Sequence, residues 1–167
     1  QDVARYVHIF SLAEVEDIQA LIKAHEQEPH KLELQRFLAR ELTERVHGAE
    51  ALRLAELTSE LLFGKGTTEQ LQQLSENEIR EVFQGVPVHE ISDQAFRSAT
   101  SLADLLAENA PVFPSKGEAR RKIKSGALAV NKQKITEEVA PSSLALLQNR
   151  YLLVQNGKKN YHLIVVS

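Results

Sequence analysis

Between Phe113 and Ile135 the chain reads FPSKGEARRKIKSGALAVNKQKI, with seven lysines and arginines against one glutamate. Fixed cations at this density do not make or break bonds. They bind phosphate, through charge and through donors that stay protonated at neutral pH. The residues suited to this are Lys116, Arg120, Arg121, Lys124, Lys132 and Lys134, with Asn131 in the turn beside them and Lys158 and Lys159 further on. On a helical wheel begun at Lys116, Ala119 and Ile123 fall together as a buried side. Lys116, Arg120, Lys124 and Arg121 share the sector beside it, and Lys122 is set apart. Gly117 in the first turn leaves backbone N–H groups approachable, where an anion is favoured.

These side chains need a frame. Ser115 as N-cap and Gly126 as stop bound one short helix. ALAVN and KQKI then alternate as two strands about a turn at Asn131-Lys132, and two apolar runs, YLLVQ and YHLIVV, flank a hairpin turn at Asn156-Gly157. Ahead of them, TSLADLLAENA reads as an amphipathic helix with Leu102, Leu105 and Leu106 inside. The last third is thus two helices packed on a small antiparallel sheet. Upstream the pattern is helical. Apolar residues recur three and four apart from Leu12 to Ile22, from Leu34 to Val46 and from Ala51 to Leu62. Ser11 with Glu14 and Ser75 with Glu78 read as capping boxes, Pro29 as a first-turn residue, and Gly48 and Gly64 as helix stops. The expected class is α+β, with a helical bundle over 1–85, a linker over 86–98 and a small domain over 99–167. In the linker Val86, Val88 and Ile91 are expected to bury one face of a short strand.

Charge divides along the same line. Residues 1–110 carry 10 lysines and arginines against 20 aspartates and glutamates, a net −10, while residues 111–167 carry 10 against 3, a net +7, which together make the −3 of the whole chain. That asymmetry points the last third toward a polyanion. The absence of cysteine removes disulfides, cysteine–zinc sites and thiol catalysis, and is compatible with a cytoplasmic protein. There is no membrane-length apolar run and no signal-peptide pattern. His25 and His30 are separated by Pro29 and no HExxH occurs, so no metal site is expected. FGKGTT lacks the GxxxxGK[ST] spacing of a phosphate loop and reads as a helix-to-helix connection. Methionine is absent even at position 1, so an excised piece of a longer protein is expected.

Ser115, Lys116, Ala119, Arg120, Ile123, Gly126, Leu128, Val130 and Asn131 resemble the signature of the S-four-like RNA-binding domain, a Ser/Pro-x-x-x-Ala-Arg-x-x-Ile helix followed by Gly-x-Val-x-Val-Asn-Gly. The resemblance implies that this helix and its hairpin bind structured RNA. Lys132 departs from it, standing where glycine is commonest. The likeness continues through YLLVQNGKKNYHLIVV and back through VARYVHIFSLAEVEDI, LARELTERVHGAEALRLAE and LLFG, and over nearly the whole chain it is similar to the C-terminal region of bacterial-type tyrosyl-tRNA synthetases. The nucleotide-handling HIGH-like and KMSKS-like motifs of that family are absent. What the resemblance implies is a tRNA-binding part of an aminoacyl-tRNA synthetase, a ligase, with no catalytic residue and no cofactor or metal of its own. ATP and tyrosine would bind a separate catalytic domain. The implied partner is tyrosine tRNA, the implied full-length protein a homodimer, and the fragment alone a monomer. The acidic helices would meet the anticodon through a local cationic edge at Arg40 and Arg45, with Arg36 beside them. The alternative is a freestanding S-four-like regulator acting on ribosomal RNA. A helical interaction protein with an incidental basic tail is a third reading. Tyr151 and Tyr161 read as core rather than as base-stacking residues.

Overall fold

The computed structural model describes residues 2–64 and 66–167, and the chain divides into two units, Gln1–Glu56 and Leu57–Ser167. In the first unit, α1 (Asp2–Phe10), α2 (Val15–Gln27) and α3 (Glu33–His47) close on Val7, Ile18, Leu34 and Leu38. These are the positions their helical spacing sets on the inner side. Ser11 and Glu14 do not form the expected capping box. Ser11 instead donates its hydroxyl to Glu41 of α3 at 2.6 Å, and the Leu12 N–H reaches the other oxygen of that carboxylate, also at 2.6 Å. Helix α2 begins only at Val15, with Glu14 in the N-cap position, so Ser11 lies ahead of the helix it was expected to cap. Partial burial pushes the Glu41 carboxyl up, but these two hydrogen bonds and the Arg45 charge hold it below its ordinary value. Pro29 opens a single 3-10 turn, Pro29–Lys31, rather than α3, because Leu32 at φ 56° breaks the helical path between them. Gly48 at φ 88° ends α3, a conformation that favours glycine. Helix α4, Ala49–Phe63, carries the boundary between the units.

The second unit contains α5 (Thr68–Gln72), α6 (Glu76–Val82), β1 (Val88–Ile91), α7 (Asp93–Ser98), α8 (Leu102–Asp104), α9 (Lys116–Lys124), β2 (Leu128–Val130), β3 (Gln133–Ile135), β4 (Tyr151–Asn156) and β5 (Asn160–Val166). Ser75 and Glu78 do form their capping box at the start of α6. The helix expected over TSLADLLAENA is only α8, which passes into a π-helical turn, Leu105–Asn109. The five strands lie in the order β1-β5-β4-β2-β3. The last four strands in that order pair antiparallel, while β1 joins β5 in parallel with Val88 opposite Leu163. The sheet is therefore mixed, and the stretch expected as a linker supplies its edge strand and α7; Ile91 is buried there but Val88, three positions away and so on the other face, is exposed. The Asp93 N–H donates to the Ser167 carbonyl at 2.8 Å, and the Ser167 N–H donates back to the Ile91 carbonyl at 3.0 Å, so the junction of β1 and α7 is tied to the end of β5. His89 and His162 meet across the β1–β5 pair, Nε2 to Nδ1 at 3.1 Å.

Both faces of the central strands are buried, as alternation requires for a sheet between two layers. Leu152, Val154, Ile164 and Val166 pack with Leu102, Leu105, Leu106, Ala119 and Ile123. The intervening Tyr151, Leu153, Leu163 and Val165 are buried on the opposite face. There Arg80 Nε donates to the Tyr151 hydroxyl at 3.1 Å and Gln148 donates to the Leu74 carbonyl at 2.6 Å.

The two hairpin turns differ. Asn131 (φ 47°) and Lys132 (φ 69°) are both left-handed, which makes the β2–β3 connection a two-residue turn of type I′. The β4–β5 register places Asn156 opposite Asn160, so that connection is a three-residue loop of Gly157, Lys158 and Lys159, not a two-residue turn at Asn156-Gly157.

Candidate nucleic-acid interface

Ser115 Oγ accepts from the Glu118 N–H at 3.2 Å and starts α9; Gly126 (φ 64°) follows its end, donating to the Ile123 carbonyl at 2.8 Å. Ala119 and Ile123 enter the core, which fixes the rotation of the helix and leaves Arg120, Arg121 and Lys124 exposed. Register brings the remaining exposed lysines to the same end of the sheet. Leu128 faces Ile135 on one side and Asn156 on the other, and the Gly157 N–H donates to the Ala127 carbonyl at 2.7 Å. Lys134 reaches back over Gly126, where an added Cβ would lie 2.4 Å from Lys134 Cε. The foot of α9, Lys134 and the Lys158–Lys159 loop therefore stand together. Among the described residues, no carboxylate pairs with Arg121, Lys124, Lys134, Lys158 or Lys159. Arg120 has a loose pairing, 4.0 Å from Glu138. Arg120 and Lys124 form one wall of an open cleft of about 420 Å³ whose other wall is Thr136, Glu137 and Glu138.

Three of the nine residues singled out by sequence point elsewhere. Lys116 places its ammonium 2.7 Å from Asp104 and 3.0 Å from Glu108. The hydrogen bond from Lys116, then those from Thr100 and Ser101, hold the Asp104 carboxyl well below the usual carboxylate range, and the same ion contacts raise Lys116. Asn131 is buried: its amide donates to the Ala145 carbonyl at 2.7 Å and its side-chain oxygen accepts from the Leu153 N–H at 2.9 Å. Lys132 donates to the Leu61 carbonyl and, at 2.7 Å, to the Tyr161 hydroxyl, with its ammonium 4.6 Å from that ring's centre. These three hold the platform rather than face outward. Tyr151 and Tyr161 are both buried, as core residues are.

Within the first unit, Arg40 pairs with Glu56 at 3.0 Å, and Arg45 donates to the Phe10 carbonyl and lies 3.9 Å from Glu41. Of the three arginines proposed there as a cationic edge, Arg36 is exposed and has no carboxylate partner among the described residues.

The sequence reading placed Phe63 in the FGKGTT connection and gave it no role of its own. It lies just past the apolar stripe that ends in Leu61 and Leu62, and it is 77% exposed. A large aromatic at a helix end, outside the buried stripe and before Gly-x-Gly, is the signal that was available.

The family model for the tyrosine–tRNA ligase SYY-like C-terminal domain matches residues 78–164. A tyrosine–tRNA ligase from Cytophaga hutchinsonii is 46% identical over 166 residues, covering 98% of this chain and 39% of that protein. One from Bacteroides thetaiotaomicron is 42% identical, covering 99% of this chain and 39% of its own length. The chain thus spans about two fifths of the curated relatives it matches. A solved structure described as the solution structure of a tyrosyl-tRNA synthetase C-terminal domain is 28% identical, with a TM-score of 0.44 over 58% of this chain and 94% of the other.

Proposed function

The chain belongs to the tyrosine–tRNA ligase SYY-like C-terminal domain family, and from that premise we propose that it grips tyrosine tRNA and orients it for a catalytic domain elsewhere in the ligase. No bond is made or broken by these residues, and ATP and tyrosine are handled by that other domain. The observation that carries the reading is the solvent-facing group of Arg120, Arg121, Lys124, Lys134, Lys158 and Lys159. Cations on a rigid helix and its adjoining turns suit the phosphates of a folded RNA, recognised by shape and charge more than by base edges. Residues 99–167 take the stem and the long variable arm. The helices of residues 1–56 take the anticodon end, for which Arg36 is the available cation. Lys116, Asn131 and Lys132 act as positioning residues that fix the helix and the turn. The full-length ligase is a cytoplasmic homodimer through parts outside this sequence, and this chain alone is a monomer.

Binding to transcribed tyrosine tRNA, measured across a salt series, tests the proposal. Four to six phosphate contacts give a log–log slope of roughly −3 to −5. A flat salt dependence overturns it. Equal affinity for a transcript without the variable arm removes the arm from the interface.

A further inference from the structure

The end of α4 is held from the inside. Leu61 is buried, its carbonyl accepts from Lys132, and the Leu62 carbonyl accepts from the Tyr161 hydroxyl at 3.1 Å. Past the helix the chain doubles back. The N–H groups of Gly64 and Gly66 both donate to the Glu60 carbonyl, at 2.9 and 3.2 Å, and a Cβ at Gly66 would lie 2.8 Å from the Leu61 Cα. Only glycine fits that approach. Leu61 and Leu62 thus fasten the helix to the sheet, while Phe63 stands in solvent on a support that cannot fold it inward.

Phe63 borders two open clefts. One, of about 350 Å³, also contains Lys132, Gln155 and Lys158; the other, of about 300 Å³, contains Pro87, Lys159 and His162. Both lysines of the β4–β5 loop therefore flank one exposed aromatic ring. A flat π-face between two cations matches a nucleotide strand, whose bases stack while their phosphates pair with ammonium groups. Apolar partners of other kinds would not call for lysine on both sides.

We infer that Phe63 is a stacking platform for an unpaired base of the bound RNA, with the neighbouring phosphates held by Lys158 and Lys159. This rests on the RNA-binding reading and extends it from phosphate contact to contact with a base.

The sequence contains no tryptophan, so Phe63→Trp carries the only indole of the protein. Its emission should be quenched when transcribed tyrosine tRNA is added, and not when a blunt RNA duplex with the same number of phosphates is added. Phe63→Ala should weaken tRNA binding at least about fivefold with the salt slope unchanged, because stacking releases no counterions. Phe63→Leu should match the alanine variant. An unchanged melting temperature checks that the fold survives in each. If tRNA binds with the steep slope but the indole signal stays still, or the duplex quenches it equally, the platform is rejected and the phosphate grip stands. Emission that changes with protein concentration before RNA is added assigns Phe63 to a second copy of the chain and likewise rejects it. No tRNA binding at low salt removes both readings.

Discussion

In the β2–β3 turn, Lys132 adopts φ 69° and sends its ammonium inward to the Leu61 carbonyl and the Tyr161 hydroxyl. In the β4–β5 loop, Lys158 and Lys159 are exposed, and Gly157 takes the left-handed position at φ 71°. Both are lysines in turns of one sheet, yet the first supports the fold and the second offers charge to solvent. The difference lies in what else the turn can reach. The end of α4 presents unsatisfied carbonyls beside the first turn, and a helix end left without donors is costly. A left-handed lysine costs about 1 kcal/mol relative to glycine, which capping by a charged donor more than offsets. The same contrast runs along α9, where Lys116 is committed to Asp104 and Glu108 while Lys124 is unpaired among the described residues. Counting cations in a stretch of sequence therefore overstates the charge available to a partner.

That contrast can be broken by mutation. Changing Arg120, Arg121 and Lys124 together to alanine should lower tRNA affinity by roughly 10²-fold or more near 0.1 M salt and flatten the salt slope by about two. Circular dichroism should stay the same, since alanine keeps the helix. Unaltered affinity would mean that the exposed set is only a wet surface. Lys132→Ala should act on stability instead, with a loss of about 1.5–3 kcal/mol in urea unfolding and an unchanged slope for the folded protein. A slope shallower by one with full stability would move Lys132 into the RNA-facing group. The paired change Lys158→Ala with Lys159→Ala should do the converse, reducing the slope by about 1.5 while stability stays within about 0.5 kcal/mol.

The smallest effect concerns the inward end of α9 and depends on pH. The folded state depresses the Asp104 pKa, chiefly through the Lys116 hydrogen bond. Its contribution is therefore complete above the unfolded value near pH 4 and is lost as pH falls through the folded value. Asp104→Asn should be less stable than the parent at pH 7, and the gap should narrow below about pH 4. A gap independent of pH would show that the ion pair does not anchor the helix.

Much of this arrangement is local and so legible in the chain. Ser115, Ala119, Ile123 and Gly126 define α9 from within eleven positions, and the Ser75–Glu78 box announces α6. What was misread depends on distant partners. Val88–Ile91 is four residues long and, among the described residues, pairs only with β5, so its alternation is too short to be told from a linker. Ser11 bonds to Glu41, thirty positions away. Lys132 and Leu61 are seventy-one apart, and nothing in Asn-Lys says that the lysine will turn inward. Cations and aromatics can be located by type, but their direction is decided by tertiary acceptors.

Strand β5 is hydrogen-bonded to both β4 and β1, and among the described residues it is the sole neighbour of β1. A nascent chain that has emerged only as far as Asn156 therefore holds β1 and one edge of β4 unzipped, with their apolar side chains waiting for residues not yet translated. A premature stop codon before Asn160 would leave that surface permanently open, and the product would be a substrate for chaperones and proteases rather than a shortened binder.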